Sequence, residues 1–221
     1  MKKYFITATD TDAGKTQIAQ SLVYALTQQG KKVAVYKPIS AGCEWRDGQL
    51  INQDAELLMM QSNCDQAITQ INPIAFEEPI APHIAADKHN KAIDVGQIKS
   101  VYQTICQLSP DVVITEGAGG WRLPLGNGHF LSEFAQQSKQ DVILVVNMKL
   151  GCLNHALLTY QAILHDGLNC AGWVANCPDE MPYLSDNIEE LASLIQAPFL
   201  GKVPYEQEIK KVAMLLDTSP L

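Results

Sequence analysis

Five short runs of the chain are apolar at nearly every position: residues 4–8, 33–36, 111–115, 142–146 and 171–175. A strand with one wet face alternates polar and apolar residues. Continuous hydrophobicity marks strands covered on both faces, as in a parallel sheet between layers of helices. Between the runs the apolar period lengthens to that of a helix. Ile18, Leu22, Ala25 and Leu26 fall on one stripe and Gly30 follows as a C-terminal cap signal, which predicts a helix from about residue 15 to residue 29. Further covering helices are predicted over residues 55–60, 95–108, 131–137, 156–164 and 187–195. Such alternation predicts an α/β fold, a doubly wound three-layer sandwich with a mainly parallel sheet.

No internal repeat, low-complexity tract or Ser/Gly linker divides the sequence, so one domain is expected over residues 1–221. Residues 63–90, rich in Pro, Asn and His, read as an irregular excursion from the sheet. The tail after Pro204 reads as a loop and a short helix around Met214-Leu215-Leu216.

Charge narrows the partners. Sixteen Lys and Arg against 24 Asp and Glu give a net charge of −8, a field that repels nucleic-acid backbones and anionic membrane surfaces. Neither nucleic acid nor membrane is expected as a partner. Six cysteines, at 43, 64, 106, 152, 170 and 177, form no Cys-x-x-Cys pair, and no histidine stands at zinc-ligand spacing, so free thiols are expected. The N-terminal apolar run is too short for a signal peptide and no run reaches the ~18 residues of a membrane span. The reducing cytoplasm is the expected location.

The strongest chemical signal lies between the first strand and first helix, in Ala8-Thr9-Asp10-Thr11-Asp12-Ala13-Gly14-Lys15-Thr16. Gly14-Lys15-Thr16 at a strand-to-helix junction is the end of a phosphate-binding loop. The helix start offers unpaired N–H groups, Lys15 reaches the β- and γ-phosphates, and the Thr16 hydroxyl suits Mg²⁺. Position 8, where such loops open with glycine, is Ala. Further hard oxygen ligands are expected at the carboxyl ends of parallel strands. Glu116 is the leading candidate, because it ends a strand and precedes Gly117-Ala118-Gly119-Gly120, a turn whose N–H groups can receive an anion. Asp54 is a second, although its position equally suits an ordinary acidic residue at a helix start. Lys37, ending the second strand, either stabilises charge on a transferring phosphoryl group or snorkels to solvent.

Together with Tyr36-Lys37-Pro38, the run from Lys149 to Thr159 and Gly172-Trp173-Val174-Ala175-Asn176, these motifs resemble the dethiobiotin synthetase family over about residues 3–205. The resemblance implies a P-loop NTPase-like fold and an ATP- and Mg²⁺-dependent ligation. In that reaction 7,8-diaminopelargonate and CO₂ form a carbamate, ATP phosphorylates it, and the second amine closes the cyclic urea of dethiobiotin. It implies Lys15 and Lys37 as the catalytic pair and Thr16, Asp54 and Glu116 as metal ligands. Nucleotide contacts are implied for Thr11 through Thr16, including Asp12, Ala13 and Gly14, and for Glu116, Gly117, Gly119, Asn176 and Pro204, the last two at the adenine. Diamine contacts are implied for Thr11, Asp12, Lys37, Ser40 and Ala41. The family's Glu is Asp12 here, and its serine falls at Ala41, with a hydroxyl one place earlier at Ser40.

The resemblance also implies a homodimer with shared active sites, in which Leu150, Gly151, Cys152 and Asn154 of one subunit hold the substrate carboxylate in the other. A glycine-bearing turn at a helix N-terminus suits an anion, although Asn154 equally suits the helix N-cap. Two other readings are a different P-loop amidoligase or ATPase and a non-catalytic nucleotide-binding paralogue. Against the partitioning ATPases, Thr9, Asp10 and Thr11 supply no early loop lysine.

Overall fold

The computed structural model describes residues 1–221. In chain order the elements are β1 (Lys2–Ala8), α1 (Lys15–Gln28), β2 (Val33–Tyr36), β3 (Ile39–Ser40), β4 (Glu44–Arg46), β5 (Gln49–Ile51), α2 (Gln53–Gln61), α3 (Ile68–Ile71), β6 (Ile74–Ala75) and α4 (Pro82–Lys88). Then come α5 (Val95–Gln107), β7 (Val112–Glu116), β8 (Pro124–Gly126), β9 (His129–Phe130), α6 (Leu131–Gln137), β10 (Asp141–Asn147), α7 (Cys152–His165), β11 (Cys170–Cys177), α8 (Leu184–Leu194), β12 (Phe199–Pro204) and α9 (Ile209–Met214).

Six strands form one parallel sheet in the order β12-β11-β10-β1-β7-β2. Successive side chains leave a strand on opposite faces, and both faces are apolar here. Tyr4, Ile6 and Ala8 of β1 join α1 residues Ile18, Leu22 and Leu26 in one core. Phe5 enters a second, with Tyr36, Ile98, Tyr102 and Phe134. On that other face Leu144, Val146 and Trp173 pack with α7 and α8 through Ala156, Tyr160 and Leu191. The doubly wound sandwich expected from the apolar runs is therefore the observed fold.

Several local readings need correction. The sheet has a sixth strand, β12, which the sequence hid because its positions mix exposed and buried residues and include Gly201 and Pro204. Residues 63–90 carry regular structure, α3, β6 and α4, in pieces too short to show a period. The tail helix, α9, comes before Leu215 and Leu216. Asn154 is not an N-cap: Gly151, at φ 92°, caps α7, which is already helical from Cys152.

Candidate active site

Because β1 lies between β7 and β10, the chain turns to opposite sides of β1 along the sheet, and loops leaving the carboxyl ends of these strands open a crevice. Register fixes who meets there. Tyr36 of β2 is level with Thr115 of β7, so the next residues, Lys37 and Glu116, are cross-strand neighbours. The Gly117 N–H bonds Ile6 O at 3.0 Å, which lays the glycine turn against β1. A Cβ at Gly117 would stand 2.9 Å from the Phe5 ring and 3.2 Å from that carbonyl, so only glycine fits the approach.

The β1–α1 loop has the form of a phosphate cradle. Asp12 (φ 56°) and Gly14 (φ 86°) are both left-handed, Gly14 caps α1 without a side-chain bond, and the N–H groups of the first turn stay free for an anion. Ala8 does not disturb this. Its φ is not positive and its methyl is buried in the core beneath the loop. Asn176 Nδ2, at the end of β11, donates to Ala13 O at 3.0 Å and supports the loop at Gly14.

Opposite the loop the charges interlock. Lys37 Nζ lies 2.9 Å from Glu116 Oε1 and 3.2 Å from Asp54 Oδ2, and Thr16 Oγ1 donates to Glu116 Oε1 at 2.7 Å. Lys37 and Glu116 are buried, Asp54 half-exposed. Asn52 caps α2 by accepting from Ala55 N at 3.2 Å, which leaves Asp54 on the first turn to reach Lys37. Burial alone would depress the Lys37 ammonium, but the carboxylates of Glu116 and Asp54 outweigh it and hold its pKa above the ordinary lysine value. Lys15, whose Nζ donates to Asp10 O at 3.1 Å, has no carboxylate in contact. Burial pushes it down to about 8, with Lys37 adding to the shift and Glu116 opposing it.

The Lys15 shift sets a pH dependence of folding. Below about 8 the lysine is charged in both folded and unfolded chains and its burial cost is fully present; between about 8 and 10.5 only the unfolded chain holds the proton, so stability rises with pH. Denaturant unfolding of the ligand-free protein over that window should therefore show an upward slope that Lys15→Met lacks. Parallel curves for the two proteins would count against it.

Thr11, Asp12, Gly14, Lys15, Thr16, Lys37, Ser40, Ala41, Asp54, Glu116, Gly117 and Gly119 all line one cleft of ≈ 960 Å³, with an apolar side that includes Leu57, Pro79, Ile80 and Leu123. The Ser40 hydroxyl, however, donates to Asn72 Oδ1 at 2.7 Å and lies 3.1 Å from Cys43 Sγ, which turns it inward. Ala13, Asn176 and Pro204 stand outside the cleft lining, and so do Leu150–Asn154. Leu150 is 96% exposed and Cys152 is buried.

Two ties escaped the sequence. Lys149 Nζ meets Asp10 Oδ2 at 2.7 Å and links the phosphate loop to the turn before α7. Asp166, after α7, accepts from Trp121 Nε1 at 2.8 Å and Arg122 Nη2 at 2.7 Å, anchoring the chain that follows the glycine turn. No local pattern marks pairs 139 and 45 residues apart.

The model of a family described as an AAA domain matches residues 2–213. An ATP-dependent dethiobiotin synthetase BioD of Aeromonas salmonicida is 45% identical over 100% of this chain and 99% of its own. The BioD of Pseudomonas aeruginosa is 42% identical over 100% and 98%. Among solved structures, the septum site-determining protein MinD of Pyrococcus horikoshii, complexed with Mg-ADP, superposes with a TM-score of 0.61 at 17% identity, covering 96% of this chain and 85% of that one. That likeness carries the fold alone. Full-length identity above 40%, with the phosphate loop and the Lys37–Glu116 pair in one cleft, assigns the chain to the ATP-dependent dethiobiotin synthetase family.

Proposed function

We propose that the cleft makes dethiobiotin by a carbamate route in which Lys15 and Lys37 divide the charge stabilisation. The chain is an ATP-dependent ligase of biotin biosynthesis, as its family is. The observation that carries the residue-level reading is the convergence of Lys15, Lys37, Thr16, Asp54 and Glu116 on one cleft. One amine of 7,8-diaminopelargonate adds to CO₂ and loses a proton, giving a carbamate. A carbamate oxygen attacks the γ-phosphorus of ATP, ADP leaves, and attack by the second amine on the carbamoyl carbon expels phosphate and closes the ring. Lys15 binds the β- and γ-phosphates, and Lys37 neutralises the carbamate and the transferring phosphoryl, whose charge is spread over its oxygens. Thr11 and Asp12 face the same space and are assigned to the diamine. Asn176 and Pro204 are assigned to the adenine.

The donor set fits Mg²⁺. Thr16, Asp54 and Glu116 supply only hard oxygens, no cluster of three His, Cys, Asp or Glu side chains competes for a softer metal, and Glu116 Oε2 is buried without a partner. When bound there, the ion neutralises phosphate charge. Glu116→Gln and Asp54→Asn should each raise the Mg²⁺ concentration needed for half-maximal rate by about tenfold, as each loses a charged ligand. An unchanged requirement removes that residue from the set. ADP release with and without the diamine tests the reaction itself: a synthetase releases ADP only when the diamine is present, and a nucleotide-binding paralogue releases none.

The working unit is assigned as a cytoplasmic homodimer. No helix is long and apolar enough to cross a membrane, and all six thiols are free. Gly151 opens α7 without a side-chain cap, beside the exposed Leu150, and so offers N–H groups to a carboxylate outside its own cleft. Mixing an inactive Lys15 variant with an inactive variant of the 150–154 turn should restore a fraction of wild-type activity. A mixture that stays inactive while subunits exchange defeats shared sites.

A further inference from the structure

The three oxygens assigned to the metal converge on an ammonium. Glu116 Oε1 stands 2.9 Å from Lys37 Nζ and accepts from Thr16 Oγ1 at 2.7 Å, while Asp54 Oδ2 is 3.2 Å from the same Nζ. A lysine ammonium is a compact point charge whose contacts with carboxylates are only about 1 Å longer than Mg²⁺–oxygen distances. One pair of carboxylates therefore cannot grip both cations at one point, and two cations a few ångströms apart repel strongly at this burial.

We infer that Lys37 is the resident counter-ion of the metal site in the nucleotide-free protein, and that loading the metal displaces its ammonium toward the phosphate side of the cleft. The inference rests on the Thr16–Asp54–Glu116 ligand set proposed above and deepens it. The geometry allows exchange. Glu116 has a second oxygen, Oε2, buried and unpartnered, so the lysine leaves one of its positions open. Asp54, 40% exposed on the first turn of α2, is reachable from the cleft. Lys37 itself lines that cleft, with Lys15 and the phosphate loop across from it.

Displacement explains how a buried lysine already paired with two carboxylates becomes available to a phosphoryl group. With the metal absent, the ammonium keeps Asp54 and Glu116 together and spares the fold an uncompensated buried charge at Glu116. With the metal seated, the ammonium's favourable partners are anionic oxygens of the substrates. Lys37 is thus armed only in a loaded site, and metal alone binds weakly because it must first evict the lysine.

The test reads metal binding rather than product. Mn²⁺ is titrated by calorimetry into the nucleotide-free protein as wild type, Lys37→Met, and Lys37→Met with Glu116→Gln. Lys37→Met should bind Mn²⁺ with a dissociation constant lower by about tenfold or more, since no charge-assisted contact has to be broken first. It should also gain thermal stability from Mn²⁺ where wild type gains little. Equal Mn²⁺ affinity in wild type and Lys37→Met, still abolished by Glu116→Gln, overturns the displacement while leaving the ligand set standing. Tight binding that survives Glu116→Gln overturns both. Lys37→Met strands buried Glu116, so a second arm uses the wild-type protein: the ¹⁵N-ammonium resonance of Lys37 should shift when Mg²⁺ and a non-hydrolysable ATP analogue are added. A resonance that stays put at saturation overturns the proposal.

Discussion

Lys15→Ala should lower turnover by roughly 10²–10³-fold and weaken metal-free ATP by about tenfold or more, whereas Lys37→Ala should lower turnover as much and leave metal-free ATP affinity within about threefold. The division follows from where each ammonium is held. Lys15 sits on the first turn of α1, its Nζ turned to the Asp10 carbonyl of the loop, and in the proposed division it is the lysine that meets the triphosphate in the ground state. Lys37 is held across the cleft by Glu116 and Asp54, away from the loop, and its gain comes when charge shifts onto the carbamate and the moving phosphoryl. Losing an interaction made in the transition state alone lowers kcat without touching ATP binding. Kinetics under saturating diamine, with ATP dissociation constants measured separately by calorimetry in the absence of divalent metal, check this. Equal loss of ATP affinity in the two variants would sink the division. Lys37→Ala should also be less stable without metal, by about 3–5 kcal/mol, since it leaves Glu116 buried with no cation.

The second large effect is at Gly14. Gly14→Ala forces a side chain into a left-handed backbone and drives its Cβ into the Asn176 amide, which is itself buried between β10 and β12. Strain of about 1–2 kcal/mol adds to about 1–3 kcal/mol for the disturbed bond to Ala13, so the loss of stability should be about 2–5 kcal/mol. ATP affinity should fall with it, because the N–H groups of the loop no longer converge. Gly30 is a matched control: it is also left-handed, at φ 79°, but nothing lies within 4 Å of its would-be Cβ. Gly30→Ala should cost only the strain and leave ATP affinity unchanged. Chemical unfolding and ATP calorimetry on both variants decide the point; identical behaviour would mean that the Asn176 contact is not what makes Gly14 necessary.

The apolar runs reveal five of the six sheet strands and α1, because burial on both faces leaves an unbroken hydrophobic signal. Strand ends alone place Lys37 and Glu116 at the carboxyl side of the sheet. β12 was not legible, since only Leu200 and Val203 of its six residues are buried and the rest read as a turn. The ribbons β3 to β6, β8 and β9 are two or three residues long, below the length at which a period exists. Spacing alone leaves Asn154 open as a cap for α7, because the left-handed backbone that makes Gly151 the cap carries no side-chain signal. The contact between Lys37 and Asp54 was hidden too, as it depends on Asn52 capping α2 one turn away.

Oxygen tracing follows the carbamate route atom by atom. With C¹⁸O₂ supplied faster than it exchanges with water, together with the diamine, Mg²⁺ and ATP, phosphorylation of a carbamate oxygen requires one ¹⁸O in each phosphate released. The carbonyl of dethiobiotin keeps the other and ADP carries none. Unlabelled phosphate, or ADP formed at the same rate without the diamine, would contradict a carbamate–phosphate route through the Lys15–Lys37 cleft.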